Sequence, residues 1–243
     1  MNIFARPAFI ASALVVVALL VGLGYLVATK EPADTGASPE APAPTTASGD
    51  QAQGATEPVA AAGDSDSVCG LTALDNVIPT QALPSTPLEV GQGLHVPSIE
   101  GYGPGVTDGI SHCYSHNPAG AILAAANFLT WFSSQQQIDE TVVALMAEGP
   151  NRDRLEAQIK EQWQGQTGSP FKIHGYIYED RGPDHAMVVL AVSAVSYPDK
   201  LVAWPLVLEW QNGDWKVEAP SIDSWGERVI DSLPLEGFIE WIA

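Results

Sequence analysis

PFKIHGYIYEDRGPDHAMVVLAVSAVSYPDKLVAWPLVLEWQNGDWKVE, residues 170–218, is the stretch that decides the fold. Phe171 to Tyr178 alternates apolar and polar positions, the period of two of a half-buried strand. Arg181-Gly182-Pro183-Asp184 is turn chemistry. His185 to Tyr197 reads as a long apolar strand, and Pro198-Asp199 makes the next turn. Leu201 to Trp210 is a third strand. Pro205 within it has no N–H to give to a ladder and so requires an edge position or a bulge. Asn212-Gly213 is the strongest hairpin signal in the chain, because both residues tolerate the positive φ of a tight turn. It leads into a fourth strand, Trp215 to Glu218. Four short strands joined by tight turns make an antiparallel meander.

The sequence just upstream has a helical period. Asn117 can cap a helix and Pro118 suits its first position. Ala119, Ile122, Leu123, Ala126, Leu129 and Phe132 then follow on one face. A second helix is predicted over Asp139–Glu148, with Val142, Leu145 and Met146 inward and Gly149 as its stop. A third is predicted over Asn151–Gln164, with Leu155, Ile159 and Trp163 spaced by four. Residues 69–117 are rich in Pro and Gly and read as a loop-rich strap of turns with one short strand. Leu235 to Ile242 reads as a short closing helix. Helices followed by a meander give an α+β domain over 69–243. Two to three helices (118–165) pack on one face of a curved antiparallel sheet of about four strands (170–218).

Residues 8–28 are 21 consecutive uncharged positions with Ser12 as the one clearly polar residue. At about 1.5 Å per residue they span roughly 30 Å, the thickness of a hydrocarbon core, and are read as a single transmembrane anchor within residues 1–30. A cleaved signal peptide is the rival. Its apolar region is shorter, and the best cut, after Ala28, has Leu26 where a small residue is wanted. Arg6 before the span favours a cytoplasmic N-terminus and an extracytoplasmic domain. Residues 31–68 are built from small, polar and acidic residues plus Pro, with Val59 and Val68 the only larger apolar ones. Such a segment cannot bury enough surface to fold and is expected to be a disordered tether.

The 243-residue chain carries a formal charge of −19 at pH 7. All 29 acidic residues and only 8 of the 10 Lys and Arg follow Lys30, so residues 31–243 carry 8 − 29 = −21. That surface repels phosphate backbones, which argues against nucleic-acid binding. The two cysteines, Cys69 and Cys113, both lie beyond the anchor in loop-like sequence. An oxidising compartment would pair them, and closing that loop is worth roughly 3–4 kcal/mol in the chain-entropy model. Two separate thiols are the alternative.

Few constellations could carry chemistry. His112-Cys113-x-x-His116 has zinc-like spacing, but a zinc site needs three or four ligands and no second Cys/His pair accompanies it. No metal is therefore expected. Glu179, Asp184 and His185, with His174 nearby, could form a proton-transfer set, yet they flank a turn where charge is needed for solubility. No catalytic residue and no cofactor is expected. Glu156 and Lys160 suit a surface ion pair. Most of the seven tryptophans are assigned to the core.

The order of helices and strands, with Asn212-Gly213-Asp214-Trp215 in its last hairpin, resembles the nuclear transport factor 2-like or cystatin-like roll. Four short pieces carry a second resemblance: Cys69-Gly70-Leu71, Gly105-Val106, His116-Asn117-Pro118-Ala119-Gly120-Ala121 and Glu148-Gly149-Pro150-Asn151-Arg152-Asp153. With the anchor and tether, these resemble uncharacterised actinobacterial membrane-anchored proteins linked to conjugative elements. The resemblance implies an assembly component among other envelope proteins and brings no catalytic residues with it. The alternatives are an extracytoplasmic small-ligand binder, or an isomerase or hydrolase, using the cone of the roll.

Overall fold

The computed structural model describes residues 67–72, 75–91, 93–222 and 224–243. The expected anchor over 8–28 and the tether through residue 66 lie outside these residues. Among the described residues no helix is long and apolar enough to cross a membrane.

Helix α1 (Pro118–Ser134) starts where the cap predicts. Asn117 is extended, and its side-chain oxygen accepts the Gly120 N–H at 2.8 Å. Fifteen of its seventeen residues are buried, so it is enclosed on all sides instead of presenting one apolar face. Its small residues at 119–121 and 124–126 permit that enclosure. Helix α2 (Ile138–Leu145) stops three residues short of the predicted end. There Met146 turns extended and bridges Val217 in parallel, and Ala147 donates to Val217 O at 2.9 Å. Pairing with a sheet edge has displaced the last helical turn. Helix α3 (Pro150–Gln162) has no buried residue, though Leu155 and Ile159 pack on the rim of the core.

The sheet has six strands where four were expected. Strands β1 (Thr86–Glu89) and β2 (His95–Ser98) form a separate antiparallel hairpin inside the strap. The main sheet contains β3 (Lys172–Asp180), β4 (His185–Ala194), β5 (Tyr197–Gln211), β6 (Asp214–Val217), β7 (Arg228–Ile230) and β8 (Ile239–Glu240). Its order is β6-β5-β4-β3-β8, with β7 also on β5. The predicted closing helix is replaced by a single 3-10 turn, Pro234–Glu236, and by β8 pairing with β3. Residues 235–242 are too few and too broken by Gly237 to repay helix nucleation. An open edge of β3 offers them main-chain partners instead.

Pro205 finds its place through this topology. β5 pairs with β7 over Leu201–Ala203 and with β6 over Leu208–Gln211, leaving residues 204–207 without a strand on that side. The missing N–H falls in the gap. The Asn212-Gly213 turn has φ of 55° and 75°, as a two-residue hairpin demands.

Strand parity divides the core. Val188, Leu190 and Val192 of β4, with Leu206 and Leu208 of β5, join Ile122, Phe128 and Trp131 of α1 in the main cluster. Each fully buried Leu or Ile contributes roughly 1.5–3 kcal/mol. Val189 lies one residue out of phase with these and packs with Ala191, Ala203, Ile230 and Phe238 on the opposite face. The segment after β7 covers that face.

Candidate functional site

The candidate chemistry gathers where the strap, the start of α1 and the β5–β6 hairpin meet. Cys69 and Cys113 are joined by a disulfide, as expected. Ser67, at the end of the expected tether, is buried beside them, and the Val68 N–H reaches Gly213 O at 2.8 Å. Packed chain thus extends at least two residues further upstream than the predicted boundary at 69.

Asp214 is the hub of this corner. It is 1% exposed and accepts the N–H groups of Cys113, Tyr114 and Trp215 at 2.9–3.0 Å. The Lys216 ammonium lies 3.0 Å from it and also donates to Ala144 O at 2.8 Å. The Tyr114 hydroxyl is buried without a partner. Burial, with the charge of Asp214 second, pushes its pKa well above the usual phenol value. A Ser111–Asn127–Trp131 network fills the next layer, with Trp131 Nε1 donating to Ser111 Oγ at 2.9 Å.

The sequence candidates are placed apart. His112 donates from Nδ1 to Ile110 O at 2.8 Å, Cys113 is spent in the disulfide, and His116 turns to a third set of partners. They do not converge. His116 lies flat on Trp210, centroids 4.0 Å apart and planes 8° apart, with Trp215 edge-on at 5.4 Å. Its Nε2 donates to Pro183 O at 2.9 Å and stands 3.2 Å from Asp184 Oδ1. This His–Asp clamp ties the start of α1 to the β3–β4 turn. Nothing in the sequence announces it, because its members are 68 positions apart and only the fold brings them together.

Glu179, Asp184 and His185 likewise separate. Glu179 pairs with Arg181 at 3.3 Å, Asp184 with His116, and His185 lies beside Glu209 and Glu218. His174 contacts Ser193 Oγ at 2.8 Å, and burial, then Lys172, lowers its pKa. The Lys160–Glu156 ion pair forms as expected. Of the tryptophans, Trp131, Trp215 and Trp241 are buried, while Trp204, Trp210 and Trp225 pack partly buried around the core.

A depression beside the disulfide corner is lined by Val68, Val143, Met146, Arg152, Gln211 and Lys216 among others. Arg152 Nε is buried there without a hydrogen-bond partner. A second depression lies between α3 and the Pro205 gap, bordered by Val207, Glu218, Pro220 and Trp225. Neither opens into the interior between α1 and the sheet, which Ile122, Phe128 and Leu129 fill.

Residues 48–240 match the family described as Domain of unknown function (DUF8175). No curated protein and no solved structure matches the chain.

Proposed function

The chain belongs to this domain family, and from that premise we propose that it is a membrane-anchored, extracytoplasmic interaction domain. It holds or assembles partners in the envelope and does no chemistry of its own. A conjugation or secretion channel is the assembly to which the sequence resemblance points. One observation carries the reading: the candidate acids and histidines do not converge, His116 pairing with Asp184, Glu179 with Arg181 and His174 with Ser193, while the space between α1 and the sheet is filled by apolar side chains. The fold serves as a rigid body at the end of a long acidic segment.

The test is co-purification of the full chain from its native membrane after crosslinking. Wild-type protein should bring defined envelope proteins with it, and Glu179→Ala or His174→Ala should bring the same set. Loss of the biological phenotype in a correctly folded Glu179→Ala or His174→Ala variant, with the partner set unchanged, overturns the reading in favour of an enzyme.

A second reading, binding of a small anionic or polar molecule, is favoured by the buried Arg152 Nε. A guanidinium with an unused donor lining a depression can take a carboxylate. Retained partner capture in Arg152→Ala separates this reading from the first.

A further inference from the structure

We propose that His185, Glu209 and Glu218 form a binding site for a divalent transition-metal ion on the sheet face opposite α1. His185 and Glu209 are direct cross-strand partners in the β4–β5 ladder. Both share the parity of Val189 and Ala203, so they belong to the face that α1 does not cover. Glu218 follows β6, and its N–H donates to Val207 O at 2.9 Å, which fixes its backbone beside the same strand. One imidazole nitrogen and one oxygen from each carboxylate lie within 4.8 Å of one another. Bonds of about 2.0–2.2 Å to a tetrahedral ion would put such donors about 3.3–3.6 Å apart. His185 is exposed and Glu209 half-buried, and none of the three is enclosed, so rotamer changes close that difference while the backbones stay in place.

Charge favours occupancy. Two carboxylates and a neutral imidazole sum to −2, which one dication neutralises. Among the described residues neither Glu209 nor Glu218 has a Lys or Arg within ion-pair distance. Lys216, directly across from Glu209, has its ammonium held by Asp214 and Ala144 O. Two like charges are thus held together with no cation from the protein. The imidazole sets the metal class: zinc, manganese or cobalt suits a nitrogen and two oxygens, whereas magnesium and calcium prefer oxygen alone. Three protein ligands leave a coordination position for water or for a donor from a partner. A bound ion would rivet β4, β5 and the chain after β6 together close to the gap at Pro205. The segment whose spacing suggested zinc, His112 to His116, is not involved. The site is independent of the interaction reading above.

The experiment uses the full chain in detergent, freed of metal with a chelator and titrated calorimetrically with zinc chloride, manganese chloride and, as control, magnesium chloride. One equivalent of zinc should bind and raise the melting temperature, and magnesium should not. His185→Ala should weaken zinc binding by about tenfold or more, and Glu209→Gln and Glu218→Gln should each weaken it measurably. His112→Ala should leave it unchanged. Because none of the three ligands is buried, circular dichroism of the metal-free variants should match wild type. If His185→Ala alone disturbs the fold, Glu218→Gln carries the test. Zinc binding that survives both His185→Ala and Glu218→Gln, zinc binding abolished by His112→Ala, or no zinc binding at millimolar metal overturns the site.

Discussion

Asp214 Oδ2 accepts the backbone N–H of Cys113 at 3.0 Å across 101 residues of sequence. Cys113 has φ of +72°, so the disulfide half-cystine is held in a left-handed conformation by a carboxylate from the last hairpin. Its neighbour Tyr114 gives its N–H to the other oxygen at 2.9 Å. The hairpin and the strap are thereby locked where the first helix begins.

Asp214→Ala should be among the most destabilising substitutions. It leaves three N–H groups and the Lys216 ammonium without their shared acceptor in a buried corner, at a cost of about 3–5 kcal/mol. Asp214→Asn keeps one acceptor oxygen and should fall between. Urea unfolding followed by tryptophan fluorescence measures both. A loss under about 1 kcal/mol in the alanine variant would show that the corner relaxes around water.

Removing the disulfide should cost about 2–4 kcal/mol. Cys69→Ala/Cys113→Ala should fold but unfold at lower urea, as should wild type held in reductant. Gly105→Ala reports on the same corner from the other side, because its Cβ would collide with Cys69 Sγ. The oxidised Gly105→Ala protein should be destabilised, and reduction should destabilise it by less than it does wild type. Equal losses on reduction would disprove the contact.

The start of α1 is the next sensitive point. Asn117 accepts from Gly120 N and Ser115 Oγ and donates to Asp75 O at 2.9 Å, joining strap to helix. Asn117→Ala should cost about 2 kcal/mol, the upper end for a cap, since all three bonds are lost. Gly120→Ala should cost more, although alanine is the better helix former, because its Cβ would meet Ser115 O. A stabilised Gly120→Ala protein in thermal melts would refute that packing.

Alkali should unfold the domain in a defined window. Burial raises Tyr176 from 10.0 to about 12, and its hydroxyl donates to Gln81 O at 2.7 Å. A raised folded pKa means that the stabilisation is fully present below pH 10 and is lost as pH climbs toward about 12. The loss should be roughly 2 kcal/mol for this one group. Stability measured by urea unfolding between pH 9 and pH 11.5 should fall more steeply for wild type than for Tyr176→Phe. Parallel profiles would remove Tyr176 as the cause. At the acid end, the lowered pKa of His174 has the opposite consequence. Its contribution is present above 6.5 and is lost as pH falls through the folded value.

Local chemistry made much of this fold legible. The Asn117-Pro118 start, the Asn212-Gly213 hairpin, the demand of Pro205 for an unpaired side and the pairing of Cys69 with Cys113 all follow from what those residues can do within a few bonds, or from compartment and loop context. Two segments depart from their local signal for one physical reason. Period and propensity favour helix at the end of α2 and over 235–242, and both give way to main-chain pairing with sheet edges invisible in sequence. β4 is apolar on both faces, so its parity carries no sequence signal, and only the pairing turns Val189 away from α1.

Residue types and short spacings determined by themselves an acidic α+β domain, helices first and meander after, with its caps and turns. Only the tertiary structure decided who meets whom. It parted Glu179, Asp184 and His185, laid His116 on Trp210 against Asp184, and set His185 beside Glu209 and Glu218. Those meetings depend on strand register and on contacts across tens of residues, and a one-residue shift in pairing would have sent each side chain to the other face of the sheet.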